Sequence, residues 1–229
     1  MKRSITGLFI LISALSQTAW CADAKELLST QCAQCHNLTG PAPDTLEALQ
    51  NRKGPDLFYS GNKYKHDWLE AWLQSPTRIR PAGMYYGKHV TLTAKADQID
   101  TAGLSAHPKL DRPTASSVAD YLMTLKAKSE LIKAGDYKPG SIPKSMGEML
   151  FDKFRGCMAC HEIEPGYGGL SGPEVYTAAR RLQEDYLISY MRDPQAWDPR
   201  IFMPNKSLSD TDLQKLVHYL RALAKEDWK

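Results

Sequence analysis

The sequence has almost no cysteine outside two short motifs. Of its five cysteines, four lie in residues 32–36 and 157–161, and the fifth, Cys21, lies near the N-terminus. Because the motifs use every other thiol, we expect neither a structural disulfide nor a thiolate metal ligand supplied from elsewhere in the chain.

The sequence also lacks a strong charge of either sign. Its 29 Lys and Arg residues nearly balance its 26 Asp and Glu residues, and without Lys2 and Arg3 the balance is 27 against 26. A nucleic-acid-binding protein would carry an excess of positive charge, so that class has no support. Hydrophobic residues make up 42% and charged residues 24% of the chain, which is typical of a globular protein and not of a disordered one.

Beyond the N-terminus, no apolar run approaches the length needed to cross a membrane. Lys2 and Arg3, the apolar run over 8–15 and the small residue Ala19 together predict a secretory signal peptide over residues 1–22. A retained N-terminal anchor and a lipid-modified Cys21 are the alternatives. We expect an exported protein without stable membrane insertion.

Both cysteine motifs follow the pattern Cys-x-x-Cys-His, the signature of covalent haem attachment. Two thiols one helical turn apart can add to the two vinyl groups of one porphyrin, and the imidazole that follows can bind its iron. The sequence therefore predicts two covalently bound haem c groups, held by Cys32, Cys35, Cys157 and Cys160, with His36 and His161 as iron ligands. A redox-active dithiol and a zinc site are the alternatives. Haem is attached to such motifs outside the cytoplasm, so we expect a periplasmic protein.

The sequence that follows each motif contains an internal repeat. Gly54-Pro55 corresponds to Gly172-Pro173, and the aromatic helix pattern over 67–76 recurs over 185–194. A Pro carbonyl at this place can orient the imidazole by accepting its second N–H, although an ordinary turn is an equal alternative. The helical periodicity predicts the same amphipathic helix in both copies.

A methionine follows the aromatic helix in each copy. Met203, in a loop before Pro204, is a good sixth iron ligand, with a core-packing role as its alternative. Met84 has the corresponding position in the first copy, but an insertion over about 85–112 follows it. The sixth ligand of the first iron is thus open between Met84, His107, His89, and either Met123 or no ligand at all.

With both Cys-x-x-Cys-His motifs, both Gly-Pro turns and Met203-Pro204, the chain resembles the dihaem class I c-type cytochromes, with a tandem layout similar to the cytochrome c4 group. The resemblance covers nearly all of the mature chain and departs from the family pattern after Met84. It implies an all-α fold with two cytochrome c-like three-helix domains, over residues 23–130 and 146–229, joined by a linker over 131–145. It also implies His36 and Met84 as ligands of the first iron and His161 and Met203 as ligands of the second.

The resemblance further implies an electron carrier and not an enzyme. Its partners would be a periplasmic dehydrogenase and a terminal oxidase or reductase. One alternative is a dihaem oxidoreductase of the peroxidase or thiosulfate dehydrogenase type, for which the insertion at the first haem is the only support. Another is a dedicated cytochrome subunit of a larger enzyme, docked through residues 85–112.

Overall fold

The computed structural model describes residues 23–94 and 97–228. The predicted signal peptide over 1–22 lies outside the described residues. Within them the chain is mostly helical, as the sequence predicts.

Residues 23–94 and 97–131 hold five helices. They are α1 (23–30), α2 (Leu46–Asn51), α3 (Ser60–Lys63), α4 (His66–Gln74) and α5 (Arg112–Thr124). Short 3₁₀ turns span Cys32–Gln34, Tyr86–Lys88 and Ser129–Leu131. Within the insertion, strands β1 (Val90–Thr91) and β2 (Gln98–Ile99) form an antiparallel hairpin that the sequence does not predict.

The rest of the described chain again has the motif, then the aromatic helix, then a long last helix. Its short helices and its hairpin lie at other places in that order. Its helices are α6 (Lys144–Met149), α7 (Ala178–Arg181), α8 (Glu184–Arg192), α9 (Pro194–Trp197) and α10 (Asp210–Leu223). Helix α6 continues as a π-turn over Leu150–Phe154, and a 3₁₀ turn spans Cys157–Ala159. A second hairpin, β3 (Glu162–Glu164) with β4 (Tyr167–Gly168), follows the second motif.

The last helix of each copy begins at a side-chain cap. The carboxylate of Asp111 accepts a hydrogen bond from the backbone of Thr114 before α5, and the hydroxyl of Ser209 accepts one from Asp212 before α10. Such caps satisfy backbone N–H groups that have no partner inside the helix. The sequence predicts the start of α10 at this serine, and the structure confirms it.

Two hydrophobic clusters lie under the two copies. One is built from residues between 24 and 122, including Leu28, Leu69 and Val118, and the other from residues between 150 and 223. In the first cluster helix α4 packs against α5, and in the second cluster α8 packs against α10. A third cluster draws Phe58 and Tyr59 from the first copy and Tyr186 and Trp197 from the second.

Equivalent residues of the repeat meet at the seam between the copies. The backbone of Lys65 donates to Arg181 O at 2.9 Å, and the backbone of Gln183 donates to Lys63 O at the same distance. Between these two bonds, Tyr64 forms an antiparallel bridge with Leu182, its counterpart in the repeat. Each copy thus offers the same backbone segment to the other, as in a two-fold symmetric contact.

Buried charges also join the copies. The guanidinium of Arg52 lies 2.5 Å from a carboxylate oxygen of Asp198 and 3.2 Å from one of Asp56, and all three side chains are at most 7% exposed. The partly exposed side chain of Lys65 also pairs with Glu184 across the seam, at 2.9 Å. None of the helices within the described ranges is both long and apolar enough to pass through a bilayer.

Candidate functional site

Each Cys-x-x-Cys-His motif folds as a single tight turn. The backbone N–H of His36 donates to Cys32 O at 2.9 Å, and that of His161 donates to Cys157 O at 3.2 Å. These bonds bring the two cysteines and the histidine of each motif to one short segment. The first cysteine of each motif is half-buried against its hydrophobic cluster, whereas the second is exposed.

Each motif histidine is held by a proline carbonyl. Nδ1 of His36 lies 2.8 Å from Pro55 O, and Nδ1 of His161 lies 2.7 Å from Pro173 O. Because a carbonyl only accepts, Nδ1 carries the proton in both rings and Nε2 keeps its lone pair. The prediction that these prolines orient the imidazoles is confirmed. This is the tautomer that a metal-binding histidine adopts when a carbonyl receives its other N–H.

The electrostatic setting favours the neutral form of both imidazoles. Burial lowers the pKa of His36 and of His161, and the hydrogen bonds to the proline carbonyls offset this only in part. A neutral ring with a free Nε2 is the form that binds iron, so each site presents its nitrogen ligand ready for coordination.

Glycine is needed beside each ring. A methyl group built on Gly54 would lie 2.6 Å from Cε1 of His36, and one on Gly172 would lie 2.6 Å from Cε1 of His161. These distances are far inside van der Waals contact, so any larger residue would push the imidazole or the Gly-Pro turn aside. This close approach explains why a glycine precedes the acceptor proline in both copies.

Buried arginine donors without partners lie near both sites. Nε of Arg52 and Nη1 of Arg181 are buried and have no hydrogen-bond partner in the protein. Arg52 lines a cavity of about 280 Å³ together with Cys35, His36 and Gly54. Arg181 is close enough to His161 for its charge to help lower that histidine's pKa.

Such donors fit the carboxylate-bearing edge of a haem. A buried guanidinium N–H without an acceptor is costly, and a haem propionate would supply a charged acceptor. The donor set therefore fits the predicted group in three respects: paired thiols, an oriented imidazole and unpaired guanidinium donors. The sequence did not single out either arginine, since nothing in their local pattern distinguishes them from surface residues.

The thiols do not resemble those of a redox-active dithiol. Burial raises the pKa of Cys32 and of Cys157, whereas a reactive dithiol needs a thiol with a lowered pKa. Within residues 23–94 and 97–228, no three His, Cys, Asp or Glu side chains come together as ligands of a metal ion. Neither alternative to haem attachment gains support.

The methionines proposed as sixth ligands occupy different surroundings. Met203 is half-buried and packs against the second hydrophobic cluster, as Cys157 does, and its carbonyl accepts a hydrogen bond from Gln195 at 2.8 Å. Met84 is also half-buried, but in the described chain it is not among the side chains packed against the first cluster. Both assignments stay predictions.

The two histidines of the insertion are separated by the fold. The ring centroid of His107 lies 6.2 Å from that of His36 and 4.7 Å from that of Trp72. His89 instead lies against the turns at Gly83 and Gly103.

Comparison of the chain with models of known protein families, with curated proteins and with solved structures found no match. The two turns, their oriented imidazoles and the two buried guanidinium N–H groups without an acceptor are therefore the observations from which a function can be argued.

Proposed function

We propose that the chain is a periplasmic electron carrier that holds two covalently attached haems, one in each cytochrome c-like copy. The observation that carries the proposal is the duplicated site itself. Twice in the chain, a tight Cys-x-x-Cys-His turn is followed by a Gly-Pro turn whose carbonyl accepts the Nδ1 proton of the motif histidine. A single Cys-x-x-Cys-His motif can occur by chance. Two such motifs, each with its histidine hydrogen-bonded to a proline carbonyl in the same way, are not explained by chance.

The residues of each copy divide the work of holding the group. In the first copy Cys32 and Cys35 attach the porphyrin and His36 binds the iron, while in the second copy Cys157, Cys160 and His161 do the same. Arg52 and Arg181 offer buried donors to the propionates. When bound, such a haem supplies an iron that takes up and gives back one electron.

The protein's own part is to keep the iron six-coordinate and its surroundings rigid. Met203 supplies a thioether ligand to the second iron, which favours the reduced state relative to two histidines. The apolar clusters beneath the motifs act in the same direction, because they disfavour the extra charge of the oxidised iron. With Met203 as its sixth ligand, the second iron would have no open position for a substrate.

The partners we propose are a periplasmic dehydrogenase as donor and a terminal oxidase or reductase as acceptor. Phe202, beside the proposed ligand Met203, is 66% exposed and gives the second copy an apolar point of contact for such proteins. A nearly balanced net charge suits short encounters with several partners.

The structure gives the subunit alternative no specific support. That alternative needs residues 85–112 as a docking face, and two residues at the start of this segment, Tyr85 and Tyr86, lie against the chain's own second copy. Tyr85 lies 6.0 Å from Phe202 between ring centroids, and Tyr86 lines a cavity of about 350 Å³ together with Gly168 and Gly169. The dihaem oxidoreductase alternative likewise has no further support.

Electron exchange with separate redox partners tests the carrier role. The purified protein, once reduced, should be reoxidised by a periplasmic oxidase or reductase preparation and should not itself reduce hydrogen peroxide or oxidise thiosulfate. Turnover of peroxide or thiosulfate by the isolated protein would contradict the carrier role and favour the enzyme.

A further inference from the structure

His107 belongs to the insertion, yet it lies at the first site. Its ring centroid is 6.2 Å from that of His36, with the two planes tilted by 60°. The sequence has six histidines, and within the described chain His107 is the one whose ring contacts that of His36. The fold has therefore brought a second imidazole to the motif histidine from 71 positions along the chain.

The separation of the two rings fits a shared metal. Metal–imidazole bonds are about 2.0–2.1 Å long, so two imidazole nitrogens on one metal lie about 4 Å apart, and the ring centres, each roughly 1 Å behind its nitrogen, lie about 6 Å apart. The observed 6.2 Å matches this spacing.

Both rings also offer the same nitrogen. Nδ1 of His107 lies 2.9 Å from Pro108 O, just as Nδ1 of His36 lies 2.8 Å from Pro55 O. A carbonyl acceptor fixes the proton on Nδ1 and leaves the lone pair on Nε2 in each case. Two imidazoles with free Nε2 atoms are the donor set of a bis-histidine iron.

The position of His107 is fixed by packed neighbours. Its ring lies 4.7 Å from that of Trp72 on α4, whose indole N–H donates to Thr77 O at 3.1 Å. Three residues after His107, Leu110 N donates to Leu73 O at 3.0 Å and Leu110 packs against the first cluster. The segment that carries His107 is thus anchored on the helix beside the site.

The other histidines outside the motifs contact other groups of the protein. Both ring nitrogens of His66 lie within hydrogen-bond distance of aspartates. Nε2 of His218 lies 2.9 Å from a backbone oxygen. His89 lies against the glycine turns of the insertion.

The two methionine loops differ in a way that points in the same direction. The segment before Met84 is directed to the second copy, since Glu174 N donates to Ile79 O at 2.8 Å. Met203 packs against the cluster of its own copy, whereas Met84 is absent from the side chains that pack on the first cluster in the described chain. The two methionine loops therefore pack differently in the two copies.

From this geometry we infer that His107, and not Met84, is the sixth ligand of the first iron, so that the chain holds one bis-histidine haem and one histidine–methionine haem. The inference depends on the proposed attachment of two haems. Because a thioether ligand raises the reduction potential and a second imidazole does not, the first haem has the lower potential of the two.

The test uses the purified holoprotein in its oxidised state and counts the sulfur-to-iron charge-transfer band per haem. One band for every two haems is expected. Met84→Leu should leave the band and the low-spin spectrum unchanged, and Met203→Leu should remove the band. His107→Ala should make one haem of the two high-spin and, after reduction, able to bind CO, and His107→Met should restore a low-spin iron and add a second band. His89→Ala serves as the matched control and should change nothing.

Two bands per chain, with loss of one in Met84→Leu, would overturn the inference, as would a fully low-spin His107→Ala protein with both haems present. Haem content is measured first on every sample. Absence of covalent haem from the native protein would defeat the proposed function itself, whereas two haems with two methionine bands would defeat only the assignment of His107. If His107→Ala does not accumulate, the native band count and Met84→Leu decide the matter.

Discussion

A methyl group built on Gly172 would lie 2.6 Å from Nδ1 of His161, the atom that meets Pro173 O at 2.7 Å. The glycine, the proline carbonyl and the imidazole therefore form one unit, and its counterpart in the first copy is built the same way. In the proposed holoprotein the cysteines would hold the porphyrin, and this unit would decide where the iron-binding nitrogen points.

Gly172→Ala should disturb the second site without removing its haem. The added methyl group forces the imidazole or the turn to move, which lengthens the hydrogen bond to Pro173 and weakens iron ligation. Overpacking of this kind costs about 1–3 kcal/mol of stability. The readouts are the reduction potential of the second haem and its low-spin spectrum. Gly87→Ala is the control, because Gly87 is exposed and the atoms nearest to a methyl group built there belong to the side chain of Tyr85. Unchanged spectra in Gly172→Ala would show that the ring is not fixed by this turn.

Met203→Ala should open the sixth position of the second iron. The haem stays attached through its two thioether bonds, but the reduced protein then binds CO and its potential falls, because the thioether no longer favours the reduced state. Met149→Ala is a matched control, since Met149 is 50% exposed and lies on α6. Low-spin iron and an intact sulfur band in Met203→Ala would exclude this methionine as a ligand.

The buried pair between Arg52 and Asp198 should be a large contributor to the seam. Asp198→Asn leaves the guanidinium buried without its closest counter-charge, and breaking a buried pair in this way costs about 3–5 kcal/mol. Urea unfolding monitored by far-ultraviolet circular dichroism measures the loss, and the exposed Asp193→Asn is the control. A loss below 1 kcal/mol, on the order expected of a surface pair, would show that the pair is not buried in solution.

His66 should give the stability a weak pH dependence through Asp120. Nε2 of His66 lies 2.7 Å from an Asp120 oxygen, and this hydrogen bond raises the histidine's pKa. A group whose pKa is raised by folding stabilises fully below its unfolded value, about 6.5, and loses that contribution as the pH rises through the folded value. Asp120→Asn should therefore lower the melting temperature at about pH 6 and have little effect at about pH 9.

The His66→Gln background is the control for this pair, because Asp120→Asn should then show no pH-dependent effect. The side chain of His66 is 35% exposed, so added salt should reduce the difference. A larger effect at high pH than at low pH would reverse the sign and contradict the assignment.

How much the sequence could show depends on whether the relevant contact is local. The Cys-x-x-Cys-His turns and the helix start at Ser209 depend on a few neighbouring residues, so their patterns predict them directly. The carbonyl acceptors Pro55 and Pro173 could be proposed because the Gly-Pro dipeptide recurs at the same place in the repeat.

Contacts that depend on long-range packing were not accessible in this way. The meeting of Arg52 with Asp198 and the arrival of His107 beside His36 depend on how the copies and the insertion pack. No periodicity in the sequence predicts either contact. The two hairpins could not be predicted, because their strands of two or three residues are too short for an alternating pattern.

The most direct measurement of the central proposal is the haem content of the mature protein, determined as intact mass under denaturing conditions together with the haem spectrum. A mass that exceeds the polypeptide by two haem groups, retained after acid extraction and reduced to one group in Cys157→Ser/Cys160→Ser, is the expected result. A native mass equal to that of the amino acids alone, or haem that leaves the chain on extraction, would contradict it.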